Sequence, residues 1–412
     1  MQFNPLPPGG GLGWGFYWHC TDGFTLLSLP QLSLQFPFIT YLSPMPQLTI
    51  TGVDIYRFSI AMEPFTIATG TMDYAQNTFI KVHTSGGLYG VGECSAFPMI
   101  VGETQDTCLV MARDFAKLWK GQNALDIQAR LQELHNFTAG NSTIKSAFDC
   151  ALYDVAAKNA GLPLYKFLGG EKREVESDIT IGIASPQKMA DKAMQFKNSG
   201  AKILKVKLGK NAVEDIERIK LIREAVSPEM QIRIDANQGW DFDDAVLALQ
   251  GMKDFDVAFC EQPMRTWDND QLPKLMQLSP VKIMADESVY NHHDARVQIE
   301  TGSCDYINIK MAKSGGILEA KKIHNIAAQH NIPCMMGGML ESRIGLSAQL
   351  HFVYSSPNVQ FYDMDTCMLG HLEDPCIGGV RYDGYKLLID DAPGIGADAD
   401  EAFLRKCEHW YL

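Results

Sequence analysis

From Ser177 onward, short apolar, β-branched runs alternate with stretches of helical period. Eight strand candidates can be counted: Ile179–Ile183, Ile203–Leu208, Gln231–Asp235, Val257–Glu261, Lys282–Asp286, Tyr306–Lys310, Ile332–Met336 and Val359–Asp363. Seven helical stretches separate them, for example Asp215–Val226 and Ile317–Gln329. This alternation predicts an α/β fold, a modified (β/α)7β TIM-type barrel over residues 176–368. Upstream the order is different. Two strands, LTITGVDIYRFSI and NTFIKVHT, are joined by a polar loop, and a third, LYGVGECS, follows the turn at Ser85-Gly86-Gly87. Helices are then predicted over Thr104–Trp119, Asp126–Leu134 and Ser142–Asn159, the last carrying Ala147, Ala151 and Ala156 at spacings suited to close packing. Strands followed by helices predict an α+β capping domain over 48–175. Past Thr366 the chain turns polar and rich in Gly and Pro, so 369–412 is expected to return to the capping domain rather than form an eighth helix.

Composition narrows the function. The chain has 412 residues, is 46% hydrophobic and 21% charged, and carries a net charge of -13. A chain this acidic lacks the basic patch of a nucleic-acid binder. No apolar run reaches the roughly 18 residues of a membrane span. The ten cysteines include no CxxC pair, and several lie in apolar runs such as VAFCEQ and IPCMM. They read as buried free thiols in a reducing cytoplasm.

The chemistry sits at the strand ends. Asp235 (IRIDANQ), Glu261 (AFCEQP) and Asp286 (IMADES) end three consecutive barrel strands. Adjacent strands lie about 4.8 Å apart, so three inward carboxylates at one level can converge on a cation. An all-oxygen donor set selects a hard ion, Mg²⁺ first, and the lack of histidine there argues against zinc. Glu287 points the other way and is given no more than a supporting role. Lys205 and Lys207 stand at i and i+2, on one face of their strand. Two adjacent ammonium groups beside a divalent cation are expected to have lowered pKa values, toward that of a usable base. Lys310 lies four strands away, across the barrel. A carboxylate substrate held on the metal, its α-proton acidified, would have one amine on each side of the reacting carbon. That arrangement gives 1,1-proton transfer with inversion; one base alone could instead serve elimination. Asp363 and Asp365 in FYDMDT make an anionic clamp suited to a cationic group.

The motifs KVK, DAN, EQP, ADES and NIK, in this order from Leu48 to about Gly396, resemble the enolase superfamily, muconate-lactonising-enzyme subgroup. DMDT resembles the DxD motif of its dipeptide epimerases. The resemblance implies one Mg²⁺ per subunit on Asp235, Glu261 and Asp286, and Lys207 and Lys310 as the acid/base pair. It implies that Asp363 and Asp365 hold a dipeptide's ammonium group, that Lys205 contacts the substrate carboxylate, and that Thr180, Gly338, Met339 and Leu340 line the substrate. The implied activity is inversion of the α-carbon of a dipeptide's C-terminal residue, in a cytoplasmic homo-oligomer, with salvage of cell-wall peptides as the implied role. Alternatives on the same scaffold are an N-acylamino acid racemase, an o-succinylbenzoate synthase or a cycloisomerase, and, from another class, a non-catalytic peptide-binding protein. The L-Ala-D/L-Glu epimerases carry an arginine in the first-domain loop; Gly70 stands at that position here, and the loop EPFTIATGTMDYA holds no other Lys or Arg. A small or apolar second residue, of the Ala-Ala type, is therefore expected rather than an acidic one.

Residues 1–47 form an atypical leader with no Lys or Arg, and GGGLGWG lacks the following helix of a phosphate loop. The missing basic region argues against a secretory signal. Translation is expected to begin at Met45. Intact mass of the protein expressed from its native locus should then lack residues 1–44; a mass that includes them overturns this expectation.

Overall fold

The computed structural model describes residues 47–412, and the expectations for the leader and for a start at Met45 lie outside them. The capping sheet comprises β1 (Ile50–Ile67), β2 (Gly70–Thr84) and β3 (Tyr89–Ser95), all antiparallel. The terminal strand His409–Tyr411 adds to the free edge of β1, with Asp54 opposite Tyr411. The polar loop expected between the first two strands is instead a continuation of both. Their ladder runs on through Phe65↔Met72 and Thr66↔Thr71 after a register shift between Ala61 and Phe65. The extension is held from outside: Thr66 carbonyl accepts from Ile183 N at 3.1 Å, so the hairpin tip is docked on the barrel. Local polarity could not report that contact.

Five helices follow in the cap: α1 (Pro98–Val101), α2 (Gln105–Trp119), α3 (Ile127–Phe137), α4 (Ser142–Asn159) and α5 (Leu164–Phe167). α4 is buried nearly all round and lies against β3. The small residues of α4 meet glycines of the strand. A Cβ on Gly92 would stand 1.9 Å from the Ala147 carbonyl oxygen, and one on Gly90 would stand 2.1 Å from that of Ala151. Backbone packs on backbone here, and any side chain would separate the layers.

The barrel strands are β4 (Ile179–Ile181), β5 (Ile203–Lys207), β6 (Gln231–Asp235), β7 (Val257–Glu261), β8 (Ile283–Ala285), β9 (Tyr306–Ile309), β10 (Cys334–Gly337) and β11 (Val359–Asp363). They pair in sequence order, all parallel, in one eight-stranded sheet. The sheet nearly closes. Across the seam between β4 and β11, Asp178 N reaches Tyr362 O at 3.2 Å and Met364 N reaches Ser177 Oγ at 2.8 Å. The alternation along these strands is apolar outward and polar inward. Leu204, Val206, Ile232, Ile234, Ile307 and Ile309 are fully buried among apolar neighbours, while Lys205, Arg233, Glu261 and Asn308 are buried as polar groups. An aromatic floor crosses the interior, where Phe259, Tyr306 and Phe361 lie with ring centroids 5.0–5.8 Å apart. The Arg233 guanidinium stacks 5.4 Å from Phe259 and 5.3 Å from Phe361. No helix of the described residues is long and apolar enough to cross a membrane. The cysteines among the described residues are free thiols, most of them buried.

Cap and barrel are joined by a buried carboxylate that sequence reading missed. Glu93 of β3 accepts from Asn77 Nδ2 (2.7 Å), Ser342 N (2.9 Å), Ser342 Oγ (2.7 Å) and Gly345 N (2.8 Å), at the start of the helix Arg343–Tyr354. Burial raises its pKa above the ordinary carboxylate value, against those hydrogen bonds. Gly92→Ala, one residue away, should cost about 1–3 kcal/mol by forcing α4 off the sheet. Urea unfolding should show this as a lower midpoint at unchanged slope; an unchanged midpoint would mean the layers part without cost.

Candidate active site

Each barrel strand delivers its inward side chain to the rim facing the cap. Lys207 is opposite Asp235, and Asp235 is opposite Glu261 in the ladder. Glu261, however, is opposite Met284, which puts Asp286 two residues further along its strand. The three carboxylates are therefore staggered and not at one level, as the inclined strands of a barrel require.

All three are fully buried and all three meet lysines. Lys205 Nζ lies 2.8 Å from Glu261 Oε2, 3.2 Å from Asp235 Oδ2 and 2.6 Å from Asp363 Oδ2. Lys207 Nζ is 2.6 Å from Asp235 Oδ2, and Lys310 Nζ is 2.8 Å from Asp286 Oδ2. These contacts change the expected electrostatics. Burial alone would lower the pKa of Lys310, but Asp286 and Glu261 outweigh it and the net shift is upward. Lys205 is likewise raised, against burial, by Asp363, Glu261 and Asp235. For Lys205 the expectation of a lowered pKa weighed a neighbouring ammonium and a divalent cation; the carboxylate neighbours, which the strand pattern also supplied, dominate. Among the carboxylates, burial and then Asp235 push Glu261 up to about 8. Asp286 stays well below its ordinary value because Lys310 and Lys313 overcome its burial.

Two oxygens of this group bear on a cation. Glu261 Oε2 and Asp286 Oδ2 are buried and receive no hydrogen bond, although lysine nitrogens stand close to both. Their partner oxygens are held: Asn308 Nδ2 donates to Glu261 Oε1 at 2.8 Å, and Lys313 Nζ to Asp286 Oδ1 at 2.6 Å. Asp235 Oδ1 takes Asn237 N at 2.8 Å. These fixed carboxylates, each with one oxygen left for ion pairing, supply the all-oxygen donor chemistry that suits Mg²⁺.

A second carboxylate cluster lies at the barrel seam. Asp178, Asp363 and Asp365 bring one oxygen each within 4.8 Å of the others, which the three staggered carboxylates do not. Asp178 was not a sequence candidate. It precedes β4 and pairs with Arg233 at 2.9 Å; the only cue was that Arg233, at i−2 from Asp235, must point inward and needs a counter-charge. Asp365 lies past the end of β11, and its Oδ2 accepts from Thr180 N at 2.6 Å, so it also closes the seam. Burial and then Asp363 raise Asp365 to about 7, whereas Lys205 holds Asp363 below its ordinary value despite burial.

Lys207 and Lys310 line one pocket together with Asn237, Gly338, Met339 and Leu340. Its remaining walls are Phe65, Ile67, Phe97 and Ile100, all from the cap. The loop after β10 is positioned by the cap as well, since Leu340 N donates to Ser95 Oγ and its carbonyl accepts from Asn77 Nδ2 at 2.9 Å. Gly70 begins β2 beside this wall. A Cβ there would fall 2.0 Å from Met99 Sδ, so Met99 covers the position where an arginine was looked for. Glu287 Oε2 is buried without a hydrogen bond, while Asn237 Nδ2 donates to the other oxygen, Oε1, at 3.5 Å.

The family model described as the N-terminal domain of mandelate racemase and muconate lactonizing enzyme matches residues 50–169. The model described as enolase C-terminal domain-like matches 188–403. The D-Ala-D/L-Ala epimerase of Cytophaga hutchinsonii is 40% identical over 364 residues, covering 88% of this chain and 99% of that one. The L-Ala-D/L-Glu epimerase of Clostridium acetobutylicum is 34% identical, covering 85% and 99%. Among solved structures, the Cytophaga hutchinsonii dipeptide epimerase complexed with Mg and D-Ala-L-Val superposes with a TM-score of 0.87 at 39% identity, covering 88% of this chain and 99% of that one. This chain belongs to the enolase superfamily, in the mandelate racemase and muconate lactonizing enzyme family.

Proposed function

We propose that the protein is a dipeptide epimerase that inverts the α-carbon of the C-terminal residue, with a preference for a small or apolar side chain there. The observation that supports this reading most is that Lys207 and Lys310, from strands on opposite sides of the barrel, line the same pocket. Asp235, Glu261 and Asp286 would hold one Mg²⁺ per subunit, whose charge would acidify the α-proton of a bound carboxylate. Lys207 takes the proton from one face of the α-carbon and Lys310 supplies one to the other, so one C–H bond breaks, another forms and the substrate is isomerised. Lys205 stays an ammonium among Asp235, Glu261 and Asp363, suited to orient the substrate carboxylate.

Asp363 and Asp365 would receive the dipeptide ammonium, with Thr180 fixing Asp365 through its backbone N. An N-acylamino acid brings no such cation to the cluster of Asp178, Asp363 and Asp365, which disfavours the racemase alternative. The relatives differ in the second residue they are named for, alanine in one and glutamate in the other. Here the wall of Phe65, Ile67, Phe97, Ile100 and Met339, with Met99 seated over Gly70, offers nothing to pair with a second carboxylate. A cytoplasmic homo-oligomer belongs to the same reading.

In D₂O with Mg²⁺, deuterium should enter the α-position of the C-terminal residue with inversion for free-amine dipeptides, and Ala-Ala or Ala-Val should outrun Ala-Glu. Exchange confined to N-acyl substrates would refute the clamp, and faster turnover of Ala-Glu would refute the apolar preference. Lys310→Met and Lys207→Met should each lower epimerisation by about 10²–10⁴-fold. Each should still exchange the α-proton of the one epimer that faces the surviving lysine. Loss of exchange from both epimers in both variants would mean that the lysines do not act on separate faces.

A further inference from the structure

Lys313 belongs to none of the motifs that carry the proposed chemistry, yet it is 0% exposed and its ammonium is paired with Asp286. It follows Lys310 in the short helical turn Met311–Ser314, which folds it back toward the strand ends. Its Nζ donates to Asp286 Oδ1 at 2.6 Å, to the Asn308 carbonyl at 3.0 Å and to the Asp286 carbonyl. Three acceptors use all three donors of an ammonium group. The acceptors come from two neighbouring strands. The β8–β9 ladder pairs Met284 with Tyr306 and Ala285 with Ile307, then stops. Asp286 and Asn308 lie just past it, and the ammonium bridges them where backbone pairing has ended.

We infer that Lys313 is a positioning residue that presets two of the three proposed metal ligands. With Oδ1 and the carbonyl of Asp286 both tied to Lys313, the carboxylate cannot rotate, and Oδ2 is the oxygen left without a hydrogen bond. With its carbonyl held by the same nitrogen, Asn308 directs Nδ2 onto Glu261 Oε1 and leaves Glu261 Oε2 without a hydrogen bond in the same way. The inference rests on Asp286 and Glu261 being metal ligands.

Geometry and simple charge make opposite forecasts. Removing a buried cation beside a divalent-ion site should tighten metal binding if charge alone counts. If Lys313 positions the ligands, its removal should weaken binding, by about 10–100-fold as for other groups that orient metal ligands. The test is Mn²⁺ binding followed by electron paramagnetic resonance on wild type, Lys313→Met and Lys313→Ala, with circular dichroism and thermal melting as checks of folding. Weaker binding in folded Lys313→Met supports the inference. So does recovery of Mn²⁺ affinity in Lys313→Ala on adding propylamine but not 1-propanol; this readout separates an ammonium's hydrogen bonds from the filling of space. Unchanged or tighter binding in folded Lys313→Met, or equal recovery with the alcohol, overturns it. Failure of the wild type itself to bind Mn²⁺ would instead strike at the metal reading of Asp235, Glu261 and Asp286, and the inference would fall with it.

Discussion

An ammonium group sealed from water must be balanced by carboxylates that are equally sealed, and this constraint organises the interior of the barrel. Lys205 is 1% exposed and touches Asp235, Glu261 and Asp363, which come from three different strands. Lys207, Lys310 and Lys313 extend the same network to Asp235 and Asp286. None of these charges is tolerable alone; removing one partner of a buried pair leaves the other uncompensated at a cost of about 3–5 kcal/mol. The charged rim is therefore cooperative. It also explains why the pKa values part company, with Asp286 held low by two lysines despite burial while Glu261, buried and crowded by Asp235 and Asp286, rises to about 8.

The apolar scaffold makes that burial possible. Outward-facing Leu, Val and Ile pack the strands against the helices, so the interior is free to carry polar side chains above the floor of Phe259, Tyr306 and Phe361. The cap then completes the pocket rather than merely covering it. Phe65 and Ile67 come from the β1–β2 hairpin and Phe97 and Ile100 from the segment after β3, while Glu93 and Asn77 tie that sheet to the loop and helix following β10. The barrel supplies the charged groups of the pocket and the cap its apolar wall, and the Glu93 hydrogen bonds tie the two together.

Strand periodicity placed Lys205, Lys207, Asp235, Glu261, Asp286, Lys310, Asp363 and Asp365 at strand ends on one rim, because an i, i+2 pattern fixes side of strand without any tertiary information. The same local reasoning failed in three places. It set the metal carboxylates at one level, whereas barrel shear staggers Asp286 against Glu261. It read the polar 61–76 stretch as a loop, whereas docking on the barrel draws it into a hairpin. It forecast a lowered pKa for Lys205 from the like charge beside it on the strand, whereas the nearest charges to Lys205 are carboxylates from neighbouring strands.

The sequence by itself determined the barrel, its seven helices, the rim assigned to the proposed chemistry and the acidic and basic groups gathered there, since all of these follow from period and order along the chain. Only the tertiary structure decided the roles of Asp178, Glu93, Asn308 and Lys313. Each of them acts on a partner far away in sequence or on a strand end whose ladder has stopped, such as Glu93 on Ser342 and Gly345 or Lys313 on Asp286. Such residues carry no periodic signal, because what they satisfy is a buried donor or acceptor that exists only once the chain has folded.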